Sequence, residues 1–394
     1  CLRRDFLPLA NINEPETEML IWYIILATTI AVTCAGLLFL ANRIARSPFT
    51  AKLGQETSKR RKIFGAATAV FLFTALTLNL MNAVICLLHI VVLCLAGDFV
   101  FAIIQHFRKQ PFRHDYAGMA ALLLSLAALS AGWYLDHHVW TTNYTIETPK
   151  KIKDLRIVLF ADSHIGTTFD TRGFAEHISE MQRQNPDIVL VAGDFVDDGT
   201  TRQQMIEACR ALGSLQTTYG VYFAFGNHDK GYHDPAARGF TGDDLITELK
   251  KNNVKVLQDE NTLIDNRFYI IGRKDFSEIL RGNPRQSMNE LLQNLNKEKF
   301  SIILDHQPND YNNQTDAEAD LVLSGHTHGG QLFPLNKVGE WIGANDKTYG
   351  YEKRKQTNFI VTSGLSDWAI KFKTGTKSEF VVIDIKHNNS PSSQ

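Results

Sequence analysis

Five short clusters of Asp, His and Asn carry the residue types that could do chemistry. They are Asp162-Ser163-His164, Gly193-Asp194, Gly226-Asn227-His228-Asp229, Asp305-His306-Gln307-Pro308 and Gly325-His326-Thr327-His328-Gly329-Gly330. Their donors are oxygen and imidazole, with no thiolate. That set suits Mn²⁺, Fe, Zn²⁺ or Mg²⁺ rather than a cysteine-rich structural zinc. Asp162 and His164 are two residues apart, as are His326 and His328, so in an extended chain each pair faces one side. The donors outnumber what a single tetrahedral ion takes, whereas two ions sharing a bridging carboxylate would use them all. No Ser or Cys nucleophile elbow accompanies them.

Each cluster directly follows a run of β-branched and apolar residues. These runs are Leu155–Phe160, Asp187–Val191, Val221–Phe225, Phe300–Leu304 and Ala319–Leu323, and they read as buried strands. Between them, Phe174, Ile178 and Met181 recur at helical spacing, as do Leu291, Leu292 and Leu295. Polar residues gathered at strand ends are where α/β folds hold ligands.

The ordered set D-x-H, G-D-x-x-D, G-N-H-D, H-x-P and G-H-x-H resembles the calcineurin-like metallophosphoesterase superfamily. Here it reads Asp162/His164, Gly193-Asp194 with Asp197, Gly226–Asp229, His306-Gln307-Pro308 (with Gln307 at the variable position) and Gly325–His328. The resemblance covers about Ile152 to Ile385. Gly325–Gln331, Pro334, Tyr349-Gly350 and Ser363-Gly364-Leu365 further resemble the membrane-associated bacterial YkuE/YaeI-like branch. Ser366 and Lys371 depart from that branch, downstream of the clusters. The resemblance implies an α/β domain of two packed β-sheets flanked by helices, holding two divalent metal ions. One ion would take Asp162, His164 and His328. The other would take Asn227, His306 and His326, and Asp194 would bridge them. It further implies that a metal-bridging hydroxide attacks phosphorus. His228 would stabilise charge and protonate the leaving oxygen, and Asp229 would orient His228. Asp275 matches an acidic family position only loosely and is left outside the site.

The rest of the chain must anchor this domain. Hydrophobic residues make up 44% of the 394 residues, but they are concentrated in four uncharged or nearly uncharged runs: Met19–Ala41, Ile63–Met81, Ala83–Ile104 and Ala117–Leu135. Each approaches the roughly 20 residues that cross a bilayer. The expected organisation is therefore a leader over 1–18, a four-helix transmembrane region over 19–135, a linker over 136–149, the α/β domain over 150–386 and a disordered tail over 387–394. The second and third runs would form a tight hairpin at Leu80-Met81-Asn82. The leader is acidic at Glu14, Glu16 and Glu18, unlike a signal peptide. It opens on Cys1 without a Met, as a truncated or processed chain would. Basic residues crowd the first and third loops (Arg43 to Lys62, and Arg108, Lys109 and Arg113), which places those loops in the cytoplasm and the domain on the outer side of a bacterial inner membrane.

Lys+Arg number 41 and Asp+Glu 42, so no basic excess supports a nucleic-acid partner. The five cysteines make no disulfide framework. The expected function is a membrane-anchored phosphoesterase acting on a phosphodiester or pyrophosphate, lipid- or envelope-linked. A UDP-2,3-diacylglucosamine pyrophosphatase of lipid A synthesis is the alternative, and it would need a cytoplasmic site. A third reading, a transporter or sensor that only binds a phosphoryl ligand, leaves His228 and Asp229 without a purpose.

Overall fold

The computed structural model describes residues 15–47, 50, 58–75, 80–110, 112 and 115–388. The chain divides into two units, Cys1–Ala128 and Leu129–Gln394.

The first unit is helical: α1 (Pro15–Arg46), α2 (Ser58–Ala75), α3 (Leu80–Arg108) and most of α4 (Tyr116–His137), whose last turns belong to the second unit. Among the described residues, three helical segments are long and apolar enough to cross a membrane, not the four expected: Leu26–Arg46 of α1, then α3 and α4. The expected span Ile63–Met81 fails on α2. That helix begins with Lys59-Arg60-Arg61-Lys62 in its first turns. The apolar remainder, Ile63–Ala75, reaches roughly 20 Å as a helix, against ~30 Å of hydrocarbon. Residues 76–79, before the expected hairpin turn, lie outside the described residues, as do residues 1–14 of the leader and 389–394 of the tail. Asp98 of α3 is paired: Arg43 of α1 bonds it at 2.7 Å and reaches Asp115 at 2.8 Å. Burial of an intramembrane charge is tolerable only with such partners.

The second unit contains two six-stranded sheets. The first has the order β1 (Val139–Thr148), β12 (Ser378–His387), β2 (Leu155–Phe160), β3 (Ile188–Ala192), β4 (Val221–Ala224) and β5 (Val254–Val256). The second has the order β10 (Gly350–Arg354), β11 (Thr357–Val361), β9 (Leu321–Ser324), β8 (Phe300–Leu304), β7 (Phe268–Gly272) and β6 (Glu260–Ile264). Strands β2 to β5 pair parallel, as do β7, β8, β9 and β11, and antiparallel pairs join β2 to β12, β6 to β7 and β10 to β11. Side-chain alternation builds the layers. Ile157, Leu159, Leu190, Tyr222, Ile302, Leu304, Leu323 and Ile360 meet in the core shared by the two sheets. Val158, Phe160, Val189 and Val191 point the other way, onto helices α5 (Thr171–Arg183), α6 (Arg202–Gly213) and α7 (Gly242–Lys251).

Those helices start where the sequence offers caps. The Asp170 side chain accepts from the Gly173 amide, and Thr201/Gln204 and Thr241/Asp244 form capping boxes. The helical stripe Phe174, Ile178, Met181 is buried as read. Residues 136–149, read as a linker, are instead structured: α4 runs to His137 and β1 pairs parallel with β12 along its whole length. β1 is an edge strand with exposed or half-buried polar alternates, so it carries no apolar run to reveal it.

Candidate metal centre

The five strands β2, β3, β4, β8 and β9 end together, and the five polar clusters converge there. Three of the five clusters turn sharply off their strands. Asp162, His164, Asp194, His326 and His328 all have positive φ, between 37° and 71°. Non-glycine residues in that region cost about 1–3 kcal/mol each and persist where the surroundings over-determine them. The extended-chain argument for the D-x-H and H-x-H pairs is therefore replaced. Tight left-handed turns, not a pleat, bring Asp162 and His164 together, whereas His326 and His328 turn to different donor groups.

Glycines make the close approach feasible. A Cβ on Gly226 would collide with the Asp194 carboxylate, and one on Gly325 with that of Asp162.

Two groups of donors result. Asp162, His164 and His328 each present one ligand atom, all within 4.8 Å of one another, and so do Asp194, His306 and His326. The Asn227 Oδ1 lies 3.1 Å from His306 Nε2 and 2.9 Å from His326 Nδ1, so it joins the second group. Asp194 Oδ2 sits between the groups, 3.1 Å from His306 Nε2 and 3.8 Å from His164 Nε2. Every metal-ligating residue expected from the sequence is thus brought to one place.

The surroundings orient these donors. His306 Nδ1–H donates to the Ala192 carbonyl at 2.6 Å, which leaves Nε2 free to face Asp194. His328 Nδ1–H donates to the Ser366 carbonyl at 3.0 Å and lies 3.1 Å from Asp367 Oδ1. The Lys373 ammonium, fully buried, lies 3.4 Å from that same Asp367 oxygen. Among the described residues, neither ring nitrogen of buried His164 has a hydrogen-bond partner. An imidazole that close to Asp194, with Asp197 Oδ2 at 3.4 Å from its Nδ1, fits a cation between the carboxylates. The donor set is all nitrogen and oxygen, as borderline or hard divalent ions require.

The charges are strongly coupled. Burial alone would lower the His306 pKa, but the adjacent Asp194 carboxylate holds it well above its ordinary value. Burial likewise would raise Asp194, yet His306 keeps it well below the carboxylate range. Burial pushes His326 and His328 each down to about 3, so both are neutral and ready to ligate at pH 7. Burial also lowers His228, with the Asp194 charge opposing.

His228 lies at the rim, half-buried. Its ring centroid is 5.0 Å from that of His164 and 5.0 Å from that of Tyr232, and its backbone N–H donates to Asp194 Oδ1 at 2.8 Å. Asp229 does not orient that ring. Its carboxylate accepts from four backbone amides: Gly226 (2.8 Å), Asp194 (3.0 Å), Phe195 (2.8 Å) and Val196 (3.2 Å). It ties the β3 loop to the β4 loop. Burial and the neighbouring Asp194 charge push this carboxyl up to about 7.

Sequence reasoning missed Asp367, Lys373 and Tyr232. The Tyr232 hydroxyl accepts from Asn227 Nδ2 at 2.7 Å, which turns the Asn227 carbonyl oxygen toward the two histidines. Asp275, left out of the site, is a structural partner there, accepting from Gln307 Nε2 at 3.0 Å.

Residues 155–330 match the family model described as calcineurin-like phosphoesterase, and this stretch is a calcineurin-like metallophosphoesterase domain. The chain is 32% identical over 248 residues to an uncharacterized metallophosphoesterase of Campylobacter jejuni, covering 61% of this chain and 62% of the relative. It is 31% identical over 248 residues to a transmembrane protein with metallophosphoesterase domain from Danio rerio, covering 60% and 54% respectively. To the uncharacterized metallophosphoesterase YkuE of Bacillus subtilis it is 29% identical over 302 residues, covering 72% of this chain and 100% of that one. The chain spans less than two thirds of the length of the first two relatives.

Proposed function

We propose that the protein is a membrane-anchored, two-metal phosphoesterase that hydrolyses a phosphodiester or pyrophosphate bond in a lipid- or envelope-linked substrate of the bacterial inner membrane. One observation carries the reading: two donor groups flank a single buried carboxylate, Asp194, with His228 held at their rim. Asp162, His164 and His328 would hold one ion. Asn227, His306 and His326 would hold the other, with Asp194 shared. Two divalent ions held there, Mn, Fe, Zn or Mg, would supply Lewis acidity to the phosphoryl group and acidify water.

The chain's own residues do the rest. The uncharged Asn227 limits negative charge on its side of the site. His228, anchored through its backbone to Asp194, reaches the leaving oxygen and delivers a proton. Asp229 keeps the Asp194 and Asn227 loops in register.

The test is hydrolysis by the full chain in detergent, loaded with Mn²⁺, of bis(p-nitrophenyl) phosphate against p-nitrophenyl phosphate. Diester turnover that Asp194→Ala abolishes supports the reading. Failure to turn over either ester, with two metals bound, points to a pyrophosphate substrate or to a domain that only binds a phosphoryl ligand.

The number of crossings favours a second reading. With three crossings, keeping the basic segment Arg43 to Lys62 in the cytoplasm puts the catalytic domain there too. That is the side on which a UDP-2,3-diacylglucosamine pyrophosphatase must work. A reporter fused after Lys386 separates the two. A cytoplasmic signal favours the sugar-nucleotide substrate, and an external one favours the envelope substrate.

A further inference from the structure

The segment that follows the last histidine motif exposes large apolar side chains. Phe333, Leu335, Trp341 and Ile342 are 66%, 60%, 71% and 63% exposed. A patch of this kind on a folded domain marks an interaction surface.

The last turns of α4 belong to that unit, and the segment is tied to them. The Gly132 carbonyl of α4 accepts from the Lys373 amide at 3.0 Å. The next residue, Thr374, accepts from the Phe333 amide through Oγ1 at 3.1 Å, and its own amide donates to the Gln331 carbonyl at 2.8 Å. Two hydrogen-bonded steps therefore join the apolar segment to Gly132. α4 runs from Tyr116 to His137. At 1.5 Å per residue it measures roughly 33 Å, about the thickness of the hydrocarbon core. Gly132 lies about 7 Å short of the helix end, close to the end of the apolar run Ala117–Leu135. Trp133 and Tyr134, 55% and 51% exposed, flank it as interfacial aromatics do.

The same stretch of chain leads back to the metal centre. Asp367 lies against Asp136, in the last turn of α4, and against the His328 imidazole. The donor groups are thus only a few side chains from the membrane helix.

We propose that Phe333, Leu335, Trp341 and Ile342 insert into the bilayer surface beside α4. The metal centre is thereby held over the headgroups, and its substrate is a phosphoester carried on a membrane lipid. The substrate half rests on the phosphoesterase reading; the insertion half does not.

The full chain is reconstituted in phosphatidylglycerol vesicles, with a nitroxide on Leu335→Cys in a background lacking the native cysteines. Collision with oxygen should exceed collision with a water-soluble nickel chelate. A nitroxide as open to the chelate as in water overturns the insertion, and this readout needs no turnover. Second, Phe333, Leu335, Trp341 and Ile342 are together replaced by Ser. Turnover of soluble bis(p-nitrophenyl) phosphate should stay within about twofold, while turnover of vesicle-borne hexadecyl p-nitrophenyl phosphate should fall about tenfold or more. Equal loss on both esters, or loss on neither, overturns the lipid assignment. An inserted nitroxide with no turnover of any ester overturns the phosphoesterase reading, and the lipid substrate with it.

Discussion

Replacing Asp229 by Asn separates two roles that a carboxylate beside His228 could play. Each Asp229 oxygen accepts two backbone amides: Oδ2 those of Asp194 and Gly226, Oδ1 those of Phe195 and Val196. Asn keeps one acceptor oxygen and turns an NH₂ toward the other pair of N–H donors. Two hydrogen bonds to a charged group are lost, at about 1.5–3 kcal/mol each, so the gross loss is roughly 3–6 kcal/mol. Removing the charge also relieves the burial cost and the repulsion from Asp194 that together hold this carboxyl at about 7, which offsets part of the loss. A net destabilisation of roughly 2–4 kcal/mol follows, or a Tm lower by roughly 5–15 °C for a unit of this size. Because the amides belong to the loops carrying Asp194 and Asn227, metal content should fall with stability. Thermal melting by near-UV circular dichroism and elemental analysis of the same sample read both. An unchanged Tm and full metal content, with turnover lost only on poor leaving groups, would refute the loop-tying role and restore an orienting one.

Other substitutions probe neighbouring parts. His228→Ala should keep its metals and lose most turnover, with the smallest loss on esters with good leaving groups; equal loss across a leaving-group series contradicts the acid role. Asp367→Asn should weaken one of two metal-binding steps by about 10–100-fold in calorimetric titration, because the support behind His328 is altered; two unchanged steps would show that Asp367 does not tune that ligand. Gly226→Ala should abolish metal binding, since the added methyl collides with the Asp194 carboxylate; normal metal content would show that this loop yields. Cys209 is buried in the α6 core, and burial pushes its thiol far above the ordinary range. It should resist alkylation in the native protein and react only on unfolding, by mass spectrometry of the modified peptide.

The site was legible because its residues sit in short clusters directly after apolar runs. A run of five strand-like segments, each ending in metal-donor residue types, constrains the topology more than any one motif does. Local sequence did not reveal how the donors meet. Positive φ at Asp162, His164 and His328 is a property of the turns, and no residue type announces it. Asp367 escaped notice because it lies far along the chain from His328, in a stretch that departs from the branch pattern at Ser366 and Lys371. The family resemblance implies that Asp229 orients His228, whereas its partners are mainly the amides of β3's loop, some 35 residues away in sequence. The two misread segments have physical causes. β1 lacks an apolar run because its alternate side chains are exposed or half-buried, and the Ile63–Met81 run was counted by its uncharged length, although its helix starts on four basic residues.

The central claim is that one carboxylate, Asp194, joins two metal positions. Electron paramagnetic resonance of the full chain titrated with Mn²⁺ tests it directly. Two ions per chain with a spin-coupled signal, and an uncoupled signal with diester turnover lost in Asp194→Ala, are the predicted results. A single ion per chain, or two uncoupled ions whose spectrum Asp194→Ala leaves unchanged, would contradict it.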